Sequence, residues 1–449
     1  MHQRIDTVLQ QFQQDVSRHL DKAAINEICA RVGHVWRECQ LTPFAIVHWF
    51  LLHVLRGNTA LEHVSVMARR SFTSEAYCEA RSRLPLAVFK AVLRNLIAAL
   101  VPRTETGGLW HGHRTFLVDG SSFSMPDTPA LQKQFGQPSN QKRGCGFPVA
   151  RILALFHAGT GFLLEVTAAR LNTHEMSQID GIRPTLKRGD VLVGDRGFCS
   201  FAHLALLIGR GVHAVFRLHQ RVIVDFTPGR PHADPGVRKA AGTPRSRWLR
   251  SLGVFDQVVE WLKPEQRPDW MTAEQYAALP GTITVRELRY TITRRGFRTR
   301  VVTLVTTLLD PELYPSKALA DLYFARWRVE QNLKDLKQTM KMDVLRCKSV
   351  DGVLKELNVY AMVYNLVRLV IGEAAQRQGV DVDRVSFVDA LRWLMEAKPN
   401  DALIRLVVNP LRPGRYEPRV RKRRPKEYPL MKAPRHELRK RLLQQQLAA

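Results

Sequence analysis

Cysteine is scarce in this chain. Six occur in 449 residues, at Cys29, Cys39, Cys78, Cys145, Cys199 and Cys347, and none form a C-x-x-C pair. That spacing argues against zinc-finger and thioredoxin-type sites. Scattered thiols in a chain of this length fit a reducing cytoplasm rather than a disulfide-stapled secreted fold. Long apolar runs are missing as well. The most apolar stretch, Phe44 to Leu55, carries His48 and His53 and falls well short of the ~20 residues that span a bilayer. It reads as a buried helix, and no membrane partner is expected. The opening MHQRIDTVLQ has no apolar signal core. Gly144-Cys145-Gly146 lacks the G-K-[ST] that completes a phosphate loop, so no nucleotide cofactor is expected. His174-Glu175-Met176-Ser177-Gln178 lacks the second histidine of a zinc-protease helix. Internal repeats are not apparent.

Negative charge is also in short supply. Asp and Glu number 41 against 68 Lys and Arg, a formal net charge of +27. A cationic surface of that size attracts polyanions and favours phosphate contacts, so nucleic acid is the leading partner. The hydrophobic content of 45% is ordinary for a globular protein and excludes global disorder.

The chain changes texture along its length. Residues 1 to about 105 read as helical, with apolar residues at helical spacing in Phe44–Leu55 and Leu86–Leu100. Between them, Asn58-Thr59-Ala60 and Ser71-Phe72-Thr73-Ser74 offer caps for two short helices, the second ending in Arg81 and Arg83. The pair could be a helix-turn-helix or part of a plain bundle. From Thr115 short apolar runs alternate with turn signals. Thr115–Val118, Ile152–His157 and Phe162–Leu171 read as a meander, followed by a helical stretch at His174–Leu186, a strand at Val191–Gly194, a helix at Phe201–Ile208 and a strand at His213–Leu218. That order predicts an α/β layered core over 106–218. Residues 219–285 break the alternation with Pro, Gly, Arg and Trp and read as a β-rich insertion. Strands resume at Val285–Thr293 and Arg300–Leu308, and one long helix is expected from Ser316 to Met340 within a second core segment, 286–345. Further helices are expected over 346–410, and after Pro410 comes a tail, 411–449, with 13 Arg or Lys against 3 Glu and five prolines, expected to be mostly extended.

Two aspartates stand out. Asp119 follows Phe116-Leu117-Val118 and precedes Gly120, and Asp195 follows Val191-Leu192-Val193-Gly194 and precedes Arg196-Gly197. Each reads as a carboxylate at the end of a buried strand, beside a glycine that lets the backbone turn. Ligands gather at such strand ends, and hard cations take fixed carboxylate oxygens. Two such aspartates and a third acid could hold a metal pair ~3.5–4 Å apart, as in-line displacement at phosphorus requires. Taken singly, an Asp-Gly is an ordinary turn. The third acid is found at residue 330. Tyr323, Arg326, Glu330 and Lys337 lie at offsets 0, 3, 7 and 14, which at about 100° per residue places them within roughly a 60° arc. Lys334 is close to the same arc. One helical face then presents a metal-binding carboxylate flanked by phosphate-binding cations, although the Arg326–Glu330 spacing alone is that of a common surface pair. In the insertion, Trp248 lies among Arg245, Arg247 and Arg250, a cation-and-aromatic surface suited to nucleic acid or to a solvated loop.

The spacing Tyr-x2-Arg-x3-Glu-x6-Lys at Tyr323, Arg326, Glu330 and Lys337 resembles the signature of the transposases of bacterial insertion-sequence family four. The blocks VDGSSFSMPDTP (118–129), FGQPSNQKRGCGFP (135–148), GDRGF (194–198) and RPGRYEPRVRKRRPKEYP (412–429) are similar to its other motifs. The resemblance implies a ribonuclease-H-like catalytic core interrupted by a β-rich insertion, with an N-terminal helical domain and a helical, basic C-terminal region. It implies metal-dependent cleavage and strand transfer on double-stranded DNA, with Mg²⁺ or substituting Mn²⁺, two per site, held by Asp119, Asp195 and Glu330. It assigns DNA contacts to Tyr323, Arg326 and Lys337, with Lys334, Arg196 and Trp248 as further candidates, and implies a homodimer on paired transposon ends at the bacterial nucleoid. Where hairpin-forming members stack a flipped base on a tryptophan, this chain has Val302, and Trp248, Trp261 and Trp270 are the alternatives. The competing readings are a metal-dependent nuclease or resolvase on the same core, and a catalytically silent DNA-binding regulator.

Overall fold

The computed structural model describes residues 14–219, 222–231, 242–292, 301–398, 401–411 and 430–447. The N-terminal region is helical, as its periodicity predicts: α1 (Lys22–Arg31), α2 (Pro43–Leu55), α3 (Leu61–Met67), α4 (Ser74–Arg83) and α5 (Leu86–Thr106). Thr42 caps α2 through its hydroxyl, and Pro43 occupies the first turn, where its missing N–H costs nothing. The helix is buried almost all round, which is why its sequence reads as continuously apolar. Thr73 caps α4. At the end of that helix Arg81 turns inward over the Phe50 ring at 4.5 Å, while Arg83 stays exposed.

The core is one nine-stranded sheet in the order β3-β2-β1-β4-β5-β9-β8-β7-β6. Its strands are β1 (Thr115–Ser124), β2 (Val149–His157), β3 (Leu163–Arg170), β4 (Val191–Gly194), β5 (His213–Arg217), β6 (Arg245–Gly253), β7 (Asp256–Leu262), β8 (Thr282–Thr291) and β9 (Val301–Thr306). β1, β2 and β3 form an antiparallel meander, β4 and β5 run parallel to β1, and β9 to β6 continue as antiparallel neighbours. The inserted strands therefore extend the main sheet, and the expected boundary at residue 285 falls within β8. Between the strands, a helical stretch at Glu175–Thr185 and α6 (Phe201–Gly209) lie where the sequence places them.

Three expectations differ from the structure. Asp119 lies in the middle of β1, because Ser121–Ser124 keep pairing with β2 beyond it. The single helix expected from Ser316 to Met340 is interrupted. It runs as α7 (Ser316–Ala325) and α8 (Trp327–Lys334), with a π-helical turn at Asp335–Thr339. At the first break Arg326 N–H bonds Tyr323 three residues back (3.1 Å), and at the second Met340 N–H bonds Asp335 five back (2.9 Å). The tail is not extended throughout, since Arg435–Leu447 is helical (α11). The basic run 412–429 lies outside the described residues.

After the π turn, Asp343 and Leu345 pair with Ser124 at the far end of β1. The chain then enters α9 (Val350–Gln378), a helix with most of its surface buried, and later α10 (Phe387–Glu396). α9 is fastened from its middle to its first turns. Asn365 exchanges two 2.8 Å hydrogen bonds with the Leu163 backbone, and Arg368 donates to Thr160 O at 2.7 Å. Gly161, at φ +73°, leaves room for that guanidinium. In its first turns Lys355 donates to the carbonyls of Arg81 and Ser82 that close α4. The fully buried Glu356 accepts from Asn58 Nδ2 (2.5 Å) and the backbone amides of Arg346 (3.0 Å) and Cys347 (2.9 Å). Glu356→Ala strands two buried donors and one half-buried donor, and the expected loss is about 3 kcal/mol or more in urea denaturation. A loss under about 1 kcal/mol refutes this joint between the N-terminal helices and α9.

Candidate active site

Backbone register brings the two aspartates together. β1 and β4 are parallel, with Leu117 opposite Val193 as their last pair. Asp119 and Asp195 each lie two residues further on, so they stand level where the two strands part. Each carboxylate is steadied by backbone. Asp119 Oδ1 accepts from Gly120 N–H at 2.8 Å, and Asp195 Oδ1 accepts from Gly197 N–H at 2.7 Å. Gly197 lies in the turn that follows Asp195, as expected, whereas Gly120 stays within the strand. Gly120 instead admits a side chain. A Cβ there would fall 2.2 Å from Glu175 Oε1.

Glu330 comes from α8, which packs against β1. The link between it and the sheet is Arg326. Its guanidinium lies 3.7 Å from Asp119 Oδ2 and 3.2 Å from Glu330 Oε1, and 5.7 Å from the ring centres of both Tyr323 and Trp327. Arg326 is buried, and its Nε–H has no hydrogen-bond partner. Burial opposes its charge, but Tyr323, Asp119 and Glu330 more than offset this and hold its pKa above the ordinary value. Burial raises the Asp119 pKa to about 6. The Gly120 amide and Arg326 oppose that rise, and the charges of Asp195 and Glu175 add to it. Burial also raises the pKa of Tyr323 and lowers that of Lys337.

The remaining candidates are distributed more widely. Lys337 lies inside the π turn, where the 100° step no longer applies, and is half-buried. Lys334 lines a cleft with Arg328, Gln331, Asp335 and Arg368. Arg196 is exposed beside Asp195. Trp248 is not brought to the acids. It is half-buried on β6, the edge strand, five places from β4 or about 24 Å at the usual strand spacing. Trp261 is buried and donates its indole N–H to Glu287 at 2.8 Å, and Val302 is buried in β9. Trp270 has the Arg183 guanidinium 5.9 Å from its ring centre.

Sequence reasoning missed three residues. Glu175 touches the backbone beside Asp119, Arg151 pairs with Glu175 at 3.4 Å from β2, and Arg217 ends β5 close enough to Tyr323 to influence its ionisation. An alternating strand pattern places Arg151 and Arg217 on strands but not on a face, and Glu175 belongs to a short turn with no periodic signal.

The donor set suits a hard divalent cation. Asp119 and Asp195 each spend Oδ1 on backbone, and Asp119 Oδ2 already faces a positive group. Among the described residues no three His, Cys, Asp or Glu side chains converge on a single ion position as arranged. The Arg326 guanidinium sits between Asp119 and Glu330 instead. No single helix among the described residues is long and apolar enough to cross a membrane.

Residues 110–366 match the family model described as "Transposase DDE domain". The chain is 26% identical over 451 residues to the transposase InsG for insertion sequence element IS4 of Escherichia coli (strain K12), covering 92% of each chain. It is 30% identical to InsZ of the same organism over 103 residues, 23% of this chain and 34% of that one. Among solved structures, a piggyBac transposase synaptic complex with hairpin DNA aligns at TM-score 0.44 and 11% identity, covering 85% of this chain and 78% of that one.

The Asp119 carboxyl has a testable thermodynamic consequence. Its folded pKa, about 6, lies above the reference 3.8, so folding favours the protonated form. Stability from this group is present below pH 4 and lost as pH rises through 6. At pH 7.5 Asp119→Asn should raise the unfolding free energy of the metal-free protein by about 1–3 kcal/mol, with no gain at pH 4. Denaturant melts at the two pH values check this, and an equal effect at both sinks it.

Proposed function

The chain belongs to the transposase DDE-domain family, and from that premise we propose that it is the transposase of a bacterial insertion sequence, cutting and rejoining DNA at Asp119, Asp195 and Glu330. The observation that carries the reading is Arg326. One buried guanidinium reaches an acid on the sheet and an acid on the helix at once, and keeps a donor unspent.

In this reading Asp119 and Asp195 would hold the divalent ions from the sheet and Glu330 from the helix. The ions are Mg²⁺, with Mn²⁺ as substitute, two per site. When bound, they would lower the pKa of the attacking water or hydroxyl, making it a stronger nucleophile, and neutralise charge developing at phosphorus. Arg326, with its Nε–H unspent, would present its fork to the phosphate beside the scissile bond. Tyr323 underlies that guanidinium and limits its rotation. Lys337, Lys334 and Arg196 add charge along the DNA path, and Trp248 with Arg245 and Arg250 forms a contact on the outer strand.

The strand order β3-β2-β1-β4-β5, antiparallel then parallel, supports a ribonuclease-H-like core. Around it we place an N-terminal helical domain (1–105), an insertion (219–285), C-terminal helices (346–410) and a basic tail (411–449). The DNA is duplex, a homodimer pairs two transposon ends, and the enzyme works in the bacterial cytoplasm on the nucleoid. The net charge of +27 supports the polyanionic partner.

Asp119→Ala, Asp195→Ala and Glu330→Ala should each abolish Mg²⁺-dependent cleavage of an end duplex while leaving end binding largely intact. Near-parental cutting by any one removes that residue from the triad. An oligonucleotide strand-transfer assay decides the function itself. Joining supports the transposase, cutting without joining identifies a nuclease or resolvase, and binding alone identifies a regulator.

Arg326→Lys keeps the charge but loses the fork, so single-turnover cleavage should fall far more than for Lys337→Arg, with filter binding little changed in either. Cleavage at the parental rate by Arg326→Lys would leave Arg326 a structural ion-pair partner. Truncation at Arg412 should lower the salt slope of binding by about 0.9 for each phosphate that the tail neutralises. An unchanged slope rules the tail out as a DNA clamp.

A further inference from the structure

Glu175 has no part in the triad, yet it lies against the strand backbone that follows Asp119 and against the turn that follows Asp195. It opens the short 3₁₀ turn Glu175–Gln178, where His174 Nδ1 accepts from Met176 N–H. Its Oε1 would be 2.2 Å from a Cβ on Gly120, and its Oε2 3.8 Å from a Cβ on Gly197, whose same point lies 3.0 Å from Asp195 Oδ1. The carboxylate thus spans from the backbone beside Asp119 to the space over Gly197 that it shares with the Asp195 oxygen. Two glycines with ordinary backbone angles border this one side chain. Any larger residue at 120 would expel it.

Its visible partner does not account for this placement. Arg151 Nη1 approaches Glu175 Oε1 at 3.4 Å, with both side chains about one-third exposed. A single long contact of that kind is worth little, and a carboxylate serving Arg151 alone has no need of Gly120. Cradling a third acid beside two others in a partly buried pocket is unfavourable unless a cation gathers them.

We propose that Glu175 is a fourth carboxylate of the metal site, supplying oxygen to the divalent ions held by Asp119 and Asp195, directly or through their bound water. The inference rests on the metal-dependent reading above. Arg151 is then a competing cation that steadies Glu175 until the ions arrive.

The test is Mn²⁺ binding by the full chain, measured by calorimetry and by disappearance of the free-ion paramagnetic resonance signal. The variants are Glu175→Gln, Arg151→Met, Asp119→Asn and Asp195→Asn, with urea melts as a folding control. Glu175→Gln should weaken Mn²⁺ binding by about tenfold or more, the cost typical of losing a ligand's supporting shell, and should raise the Mg²⁺ concentration needed for cleavage. Arg151→Met should leave Mn²⁺ affinity unchanged or higher. If Glu175→Gln binds Mn²⁺ like the parent while Asp119→Asn does not, Glu175 is outside the site. If Arg151→Met weakens binding as much as Glu175→Gln, the pair is structural and the proposal falls. Should Asp119→Asn and Asp195→Asn both retain parental binding, or the parent fail to bind, the metal-dependent reading itself fails, and this inference with it. If Glu175→Gln alone is unstable in the melts, Gly120→Ala, which displaces the carboxylate without removing its charge, should reproduce the weaker binding. Unchanged Mn²⁺ affinity in Gly120→Ala overturns the proposal.

Discussion

Two carboxylates held level on adjacent parallel strands repel one another, and the repulsion grows as water is withdrawn. The β1–β4 register creates that problem at Asp119 and Asp195, and much of the neighbourhood can be understood as an answer to it. Backbone amides of Gly120 and Gly197 each neutralise one oxygen. The guanidinium of Arg326 faces another from the helix above. Burying an arginine is itself costly, and Asp119, Glu330 and the flanking rings offset that cost. The arginine and the two acids that face it thus partly offset one another's burial.

The same dependence explains the irregular helix. A straight α-helix from Ser316 to Met340 would keep Lys337 on the arc of Glu330. The helix tightens at Arg326 and widens at Asp335–Thr339, so that Val344 can leave to pair with the end of β1. Wide turns of this kind often mark working sites. Beyond them α9, fastened through Asn365, Arg368, Lys355 and Glu356, ties the sheet to the N-terminal bundle.

How much of this was legible in the sequence depended on whether period or contact carried the information. The apolar runs before Asp119 and Asp195, the capping Thr73, and the 3-4-7 spacing of Tyr323, Arg326 and Glu330 are local, and they pointed to the candidate triad and to most elements. The continuation of β1 past Asp119 was hidden because Gly120, Ser121 and Ser122 are poor strand residues held by pairing with β2. The inward turn of Arg81 was hidden because its partner, Phe50, is 31 residues away. Glu175 was hidden for a related reason. Its meaning lies in two glycines remote in sequence, each of which reads locally as a turn.

The union of β9 with β5 makes the inserted strands continuous with the catalytic sheet rather than a separate lobe on a hinge. The arginine-bearing edge at β6 therefore stands at a set lateral offset from the end of β4, where Asp195 follows, about 24 Å across five strand spacings. Laid beside a duplex rising about 3.4 Å per base pair, that span corresponds to roughly seven base pairs. The sheet is a ruler: were the outer strand to touch DNA as proposed, that contact would lie a set distance along the duplex from the acids.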